Sequence, residues 1–441
     1  MSVNVRRSLG FWRCWGLVVG GTIGSAVFMM PAVMAPYGGL GLLSLMSATL
    51  GAVFVALMFG TLARRVTATG GMYAYTRAGV GDFAAFLVAW STLISMWVSC
   101  AALAIGFVAY LGVVVPAVGS HPVLGALSGL ALIWILVGIN IVGVRESGIV
   151  TLVTTIMKLT PLVLIGFIGL WFIEADNLPV MHPGEGSALV VFASVFALSF
   201  WNFTGIETAT VPAEDTVDPA RTIPRALLLG TLTVGAVYLL VSLVTMGVIP
   251  SGALTVSSSP LADVGTRLFG AVGGSIVVAG ALVSTAGTLN VSILEGGQIA
   301  MAAGRDRLFP PVFSRLSGRH TPWVSYVLMG ALASLLLIFN FSRGLVAAYT
   351  FIVLIATLTL IIPFAFSAIA SLILQRRDPA ASRTQRWREA IVAVTALGVC
   401  IWVVAASGME TVYWVLLLLM LGLPVYVAVT RKRLRPEPET A

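Results

Sequence analysis

The sequence predicts an all-α membrane protein of twelve transmembrane helices, built as a five-plus-five inverted repeat with broken helices 1 and 6 and two extra helices after it. Composition, the number of long apolar runs, and a glycine–proline signature that occurs twice carry this expectation. Of the 441 residues, 59% are hydrophobic and 10% are charged, and the mean hydropathy is +1.02. Charged residues make up about a quarter of a soluble domain, so that class is excluded.

The apolar runs lie near 14–35, 41–63, 84–113, 122–143, 149–173, 187–211, 226–249, 270–301, 323–341, 345–374, 388–407 and 411–430. A bilayer takes roughly 20 residues of helix, and lipid cannot satisfy exposed backbone groups, so every run is expected to be helical. The first run has no small-residue cleavage site and leads into further spans, unlike a cleaved signal.

The basic residues set the orientation. With the N-terminus inside, Arg6, Arg7, Arg64, Arg65, Arg77, Arg145, Arg225, Arg305, Arg376 and Arg433 all fall on the cytoplasmic side, as do most others; Arg267 and Arg343 fall outside and Lys158 within a span. That bias, with an even span count, places both termini in the cytoplasm and the chain in the plasma (inner) membrane as a multi-pass protein. It also accounts for the net charge of +8 without a nucleic-acid partner. Cys14, Cys100 and Cys400 are dispersed, and His121, His182 and His320 fall in loops. Neither a disulfide framework nor a metal site is expected, and no cofactor. The chain has no GxxxxGK[ST] stretch, which argues against a nucleotide-driven pump.

Span one reads GSAVFMMPA from Gly24 and span six reads GIETATVPA from Gly205; in both, Pro-Ala follows the glycine at the same spacing. The first unit has five spans, an odd number, so the second unit is inverted relative to the first, as in many secondary transporters. Repeat one is expected over about 12–175, repeat two over about 187–375, and helices 11 and 12 over about 388–430, in one transmembrane domain spanning 1–441. Chance is the competing explanation, since Gly and Pro are common in membrane helices. Unwound backbone at mid-membrane is tolerated where it lines a cavity. The half-helix opening at Ser25, Ala26 and Val27 offers N–H groups to an anion. The carbonyls around Trp201 to Thr204 favour a cation. An anion site facing a cation site fits the α-carboxylate and α-ammonium of an amino acid.

GTIGSAVFMMPA in span one, GGMYAY at 70–75, FWNFTGIETATVPAEDTVDPARTIPRA from Phe200, and AAGRDRLFP ending at Pro310 together resemble the amino acid–polyamine–organocation superfamily. The nearest branch is that of the basic amino acid/polyamine antiporters, which includes the arginine/agmatine antiporter, and the resemblance covers nearly the whole chain. It implies alternating access to an amino acid held between spans one and six. It implies that the carboxylate meets the amides of Ser25 and Ala26 beside Gly24, and that the ammonium meets the carbonyls of Thr22, Trp201 and Thr204. Trp201 would cap the substrate as a gate, with a packed core indole as the alternative. Glu207 matches a glutamate associated with proton response; a hydrogen-bonding structural role is the alternative. Ser292, Cys100 and Ala356 stand where the arginine antiporter has the tryptophan, asparagine and serine that hold a long cationic side chain, and Ala26 where the family often has glycine. These departures favour a small or neutral amino acid. TLNVSI at 288–293 resembles the L-type amino acid transporters.

Lys158, Glu207 and Glu295 are ionisable residues inside spans, where a charge is costly and functional by default. Lys158 resembles the lysine that stands in for a bound cation in sodium-independent members; it is expected to donate to carbonyls near Ile23 and to Thr288, either as a proton carrier or as a permanently charged strut. Glu295 shares a helix face with Thr288 and Ser292. A Lys158–Glu295 ion pair is expected, with a wet vestibule or a substrate cation as alternatives. Asn202 and Asn290 fit either helix ends or substrate. The tail RKRLRPEPETA is solvated or touches anionic lipid. The expected function is secondary amino acid transport, by exchange or proton coupling. The competing readings are a cationic antiporter and a transport-inactive sensor or subunit. The expected partners are an amino acid and membrane lipid, with a homodimer left open.

Overall fold

A computed structural model describes residues 9–142, 148–181, 187–319, 321–340, 345–379 and 381–433. Arg6, Arg7, Arg145, His182, His320, Arg343 and the tail beyond 433 lie outside the described residues. Among the described residues the chain consists of helices and their connecting turns, with one isolated bridge where Leu9 meets Thr216. Among the described residues, nine helical segments are long and apolar enough to cross a bilayer by length and composition. The other three of the twelve spans are the interrupted first and sixth and the shorter ninth, Trp323–Asn340.

Span one consists of Phe11–Thr22 and Ala26–Met34. Between them Ile23 is extended, with ψ 94°. Span six begins as Ala188–Phe200, tightens to a 3-10 turn at Trp201–Phe203, and breaks at Thr204 and Gly205. Its second half is not the half-helix the inverted repeat leads one to expect. It is a pair of 3-10 turns, Ile206–Thr210 and Ala213–Asp215. Threonines explain this locally: Thr208 Oγ1 donates to the Gly205 carbonyl at 2.6 Å and Thr210 Oγ1 to the Glu207 carbonyl at 2.6 Å. Such back-bonding three residues upstream favours the tighter turn.

Spans two (Gly38–Arg65) and seven (Pro219–Val248) pack on each other, and spans five (Gly148–Gly169) and seven pack against the first half of span one. Spans three (Asp82–Val114), eight and ten (Leu345–Arg377) form a second group, with span four (Pro122–Val142) against span nine. Span eight lies within the helical run Pro260–Arg305, but Gly270 at φ 68° divides that run into a short helix and the span itself. Spans eleven (Arg383–Ala406) and twelve (Met409–Met420 continued by Gly422–Arg433) are peripheral, and Met409, Trp414 and Leu421 are exposed. Exposed apolar side chains belong there because the solvent is lipid.

Candidate functional site

The two breaks meet. Gly205 adopts φ +104°, and a Cβ placed on it would lie 2.6 Å from the Gly21 carbonyl oxygen. Only a residue with no side chain allows the backbones of spans one and six to approach this closely. Beside the crossing lies a cavity of about 40 Å³ lined by Thr22, Gly24, Ser25, Ala26, Trp201 and Thr204 from the two breaks, and by Thr288, Ser292 and Glu295 from span eight.

On the span-one side, Ser25 caps the second half-helix. The amides of Ala26 and Val27 open that helix, where no preceding turn supplies a carbonyl. The Ser25 hydroxyl is 3.2 Å from the Tyr349 hydroxyl, which also accepts from Trp201 Nε1 at 3.2 Å. One phenol thus joins both breaks to span ten. The carbonyls are less free than the sequence suggests. Thr22 O accepts from the Tyr238 hydroxyl at 3.0 Å. Trp201 O accepts both the amide and the hydroxyl of Thr204, at 3.1 and 2.9 Å.

Ile23 faces away from this cavity, and its carbonyl is the hub of a second cluster. Ser284 and Thr288 donate to it at 3.0 Å each. The Lys158 ammonium donates to Gly20 O at 3.2 Å, to Ile23 O at 3.5 Å and to Thr288 Oγ1 at 3.2 Å. One turn before it, Thr155 Oγ1 donates to Gly16 O at 3.0 Å. Span five is therefore fastened along the first half of span one. The expected Lys158–Glu295 ion pair is absent from the ion pairs of the described residues. Both residues line one larger cavity of about 310 Å³, bounded by Leu9, Leu17 and Thr155, but the ammonium is turned to span one. Glu295 shares both cavities, and its Oε1 is buried without a hydrogen-bond partner.

Glu207 does not line the small cavity. It is fully buried, accepts the Gly205 amide at 3.0 Å through Oε2, and leaves Oε1 without a partner. Its one hydrogen-bond partner is thus the backbone of its own turn. Asn290 accepts from Asn140 at 2.7 Å, and Asn202 donates to Ser199 O at 2.8 Å. Cys100 is buried but does not line the cavity, whereas its neighbours Met96, Ser99 and Leu103 do, with Ser95. Sequence reasoning missed Ser95, Ser99 and Leu103, although their four-residue spacing is a helix-face signal. It also missed Tyr349, which no local pattern marks.

The ends of the pathway differ. On the side of Ala26–Met34, the Tyr110 hydroxyl donates to Phe28 O at 2.9 Å and accepts the Leu261 amide at 3.2 Å, joining spans one and three to the short helix that precedes Gly270. The 310 Å³ cavity lies on the opposite, basic face. There Tyr73 donates to Asp306 at 2.6 Å, and Arg77 bridges Asp306 and Asp82. Burial pushes the Tyr73 phenol above its ordinary range, and its bond to Asp306 acts in the same direction. The phenol therefore stays protonated at neutral pH and holds this contact as a donor.

Tyr349→Phe removes a hydroxyl shared by Ser25 and Trp201. A net hydrogen bond contributes about 0.5–1.5 kcal/mol, so half-saturation for substrate should rise by roughly two- to tenfold, read from initial uptake rates. An unchanged value would mean that the phenol only packs.

Two interrupted helices that cross beside a small buried cavity, within a bundle of long apolar helices, are the architecture of a broken-helix secondary transporter. The amino acid permease family model matches residues 9–428, and the chain belongs to that family, within the amino acid–polyamine–organocation superfamily. It is 27% identical over 426 residues to an arginine/ornithine antiporter of Pseudomonas aeruginosa, covering 93% of this chain and 88% of that one. It is 26% identical over 346 residues to the cadaverine/lysine antiporter of Escherichia coli K12, covering 77% of each. The branched-chain amino acid permease BcaP of Bacillus subtilis is 24% identical over 448 residues, covering 97% of this chain and 94% of that one. A manganese transporter of Eremococcus coleocola, solved with an aromatic bis-isothiourea compound, shares the fold at a TM-score of 0.61 and 11% identity, over 98% of this chain and 97% of that one. The protein is thus a multi-pass membrane permease for amino acids and not an enzyme.

Proposed function

We propose that this permease is a secondary transporter of the plasma membrane that exchanges, or couples to protons, a small or neutral amino acid. The observation that carries the substrate size is the 40 Å³ volume of the cavity between the breaks. A volume this small favours a short side chain over a long one. The substrate carboxylate is assigned to the Ser25 and Ala26 amides, its ammonium to the Thr22 and Thr204 carbonyls, and the cap to Trp201. Arg64, Arg65, Arg77, Arg225 and Arg305 support a cytoplasmic assignment for the basic face. With that orientation the larger cavity is the inner vestibule of an inward-facing state.

One observation favours a second reading, transport of a cationic amino acid. Glu295 presents a buried carboxylate oxygen with no partner at the junction of the two cavities. Two of the relatives named above are antiporters of basic substrates. The experiment is uptake into proteoliposomes of a labelled amino acid panel, with and without internal substrate and with and without an inward proton gradient. Uptake of alanine or serine that ornithine and lysine do not inhibit supports the first reading; strong inhibition by them supports the second. Glu295→Gln then separates the two. A charge-assisted hydrogen bond contributes about 1.5–3 kcal/mol, so a cationic substrate loses tenfold or more, and a neutral one does not. Binding without flux would instead make the protein a sensor.

A further inference from the structure

A second concave site lies at the basic face, remote from the breaks, where spans two, seven and eleven come together. It is a cavity of about 610 Å³, and three arginines from three helices converge on it: Arg64, Arg225 and Arg388. Arg64 is in the last turn of span two. Arg225 and Arg388 are in the second turns of spans seven and eleven. All three are exposed, and none takes part in an ion pair or hydrogen bond among the described residues. The one carboxylate in the lining, Glu389, is already occupied. Arg65 Nη2 holds its Oε2 at 2.7 Å, and Gln385 donates to its Oε1 at 3.0 Å. Arg65 also bonds Asp378 at 3.2 Å. The cavity therefore presents three positive charges that the protein does not neutralise, beside an Arg65–Glu389 pair that shapes its wall.

The rest of the lining decides what kind of anion fits. Leu57, Leu228 and Val392 form an apolar wall. Trp387, Ile391 and Leu229, each one residue along its helix from the lining residues Arg388, Val392 and Leu228, are 63%, 58% and 42% exposed. An exposed tryptophan one residue from a converging arginine marks the headgroup level of a bilayer, where aromatic side chains concentrate. Deeper along the same helices Ile391 and Leu229 continue toward the acyl region. A free phosphate would use the guanidiniums and leave the apolar wall unfilled. A glycerophospholipid uses both: guanidiniums pair with phosphate oxygens, and basic pockets between helices at a membrane face hold anionic headgroups.

We propose that the Arg64–Arg225–Arg388 cavity is a binding site for one anionic phospholipid of the leaflet at the basic face. The ligand touches spans two and seven, which pack against span one and the sixth span's first half, and also the peripheral span eleven. It ties the ends of these spans together beside the Arg65–Glu389 pair that already joins spans two and eleven.

The test uses the purified full-length protein and native mass spectrometry, with phosphatidylglycerol or phosphatidylcholine added at equal molar ratio. The wild type is expected to retain at least one more phosphatidylglycerol than R64Q/R225Q/R388Q, with an apparent affinity about tenfold or more higher. Phosphatidylcholine retention is expected to be equal in the two proteins. R64K/R225K/R388K, which keeps the charges, should retain the lipid and so separates binding from misfolding. R376Q/R377Q/R383Q removes equal charge from the same face outside the cavity and should leave retention unchanged. Equal phosphatidylglycerol retention by wild type and R64Q/R225Q/R388Q overturns the proposal, as does an equal loss in the control variant. Displacement of the lipid by glycerol phosphate at millimolar concentration would reassign the site to a soluble phosphate ester. Neither result bears on which amino acid is transported.

Discussion

Gly205→Ala should reduce transport to background. The added methyl would stand 2.6 Å from the Gly21 carbonyl oxygen and 2.8 Å from its carbon. Both are backbone atoms, so no rotamer change relieves the contact, and one of the two broken spans must move. The residue also keeps φ +104°, a conformation that costs a non-glycine residue about 1–3 kcal/mol. Separation at this point displaces Thr204 and Trp201 from Ser25, and the two halves of the substrate site lose register. A misplacement of about 1 Å in a positioned site costs on the order of a hundredfold. The measurement is initial uptake by reconstituted protein, with the thermal midpoint of the solubilised protein recorded alongside. Gly398→Ala is the control, since a Cβ there meets nothing within 4 Å. Wild-type uptake by Gly205→Ala would show that the crossing is looser than drawn.

Lys158→Met should lower transport at least tenfold and should identify the lysine's role. Its ammonium donates to Gly20 O, Ile23 O and Thr288 Oγ1. Hydrogen bonds from charged groups contribute about 1.5–3 kcal/mol each, and 1.4 kcal/mol is a factor of ten. Ile23 O keeps Ser284 and Thr288 as donors, so the break should survive, while the Gly20 carbonyl loses its link to span five. The informative readout is the pH profile of the residual activity. If Lys158 is a fixed strut, the profile keeps its shape at lower amplitude, and exchange with internal substrate persists. If Lys158 carries the proton, stimulation by an inward proton gradient disappears. Wild-type activity in Lys158→Met would remove the residue from the cycle altogether.

Much of the fold was legible because a bilayer leaves few options. Long apolar runs must be helices, and the Gly-Ser and Gly-Ile-Glu stretches interrupt runs that would otherwise be continuous. The Lys158 partners were legible for a related reason. A buried ammonium must find acceptors, and an unwound segment at the same depth is the nearest source. The Lys158–Glu295 pairing was not, because counting residues gives depth along the membrane but not the direction in which a side chain points. In the folded chain the ammonium turns to span one, and the carboxylate turns to the cavity junction. Ser95, Ser99 and Tyr349 were missed because hydroxyl groups in apolar helices can bond to nearby backbone and leave no trace in composition.

The sequence alone determined an all-helical membrane chain, its two breaks, the face that collects the arginines and the family to which it belongs. These follow from local chemistry: hydropathy, backbone hydrogen bonding and the steric freedom of glycine. Only the tertiary structure decided how small the cavity is, which carbonyls are already occupied, that the second half of span six is a 3-10 turn, and that Arg64, Arg225 and Arg388 share one site. Those depend on the azimuth of each helix and on contacts between residues a hundred or more positions apart. Packing sets both, and neither is written in the order of the residues.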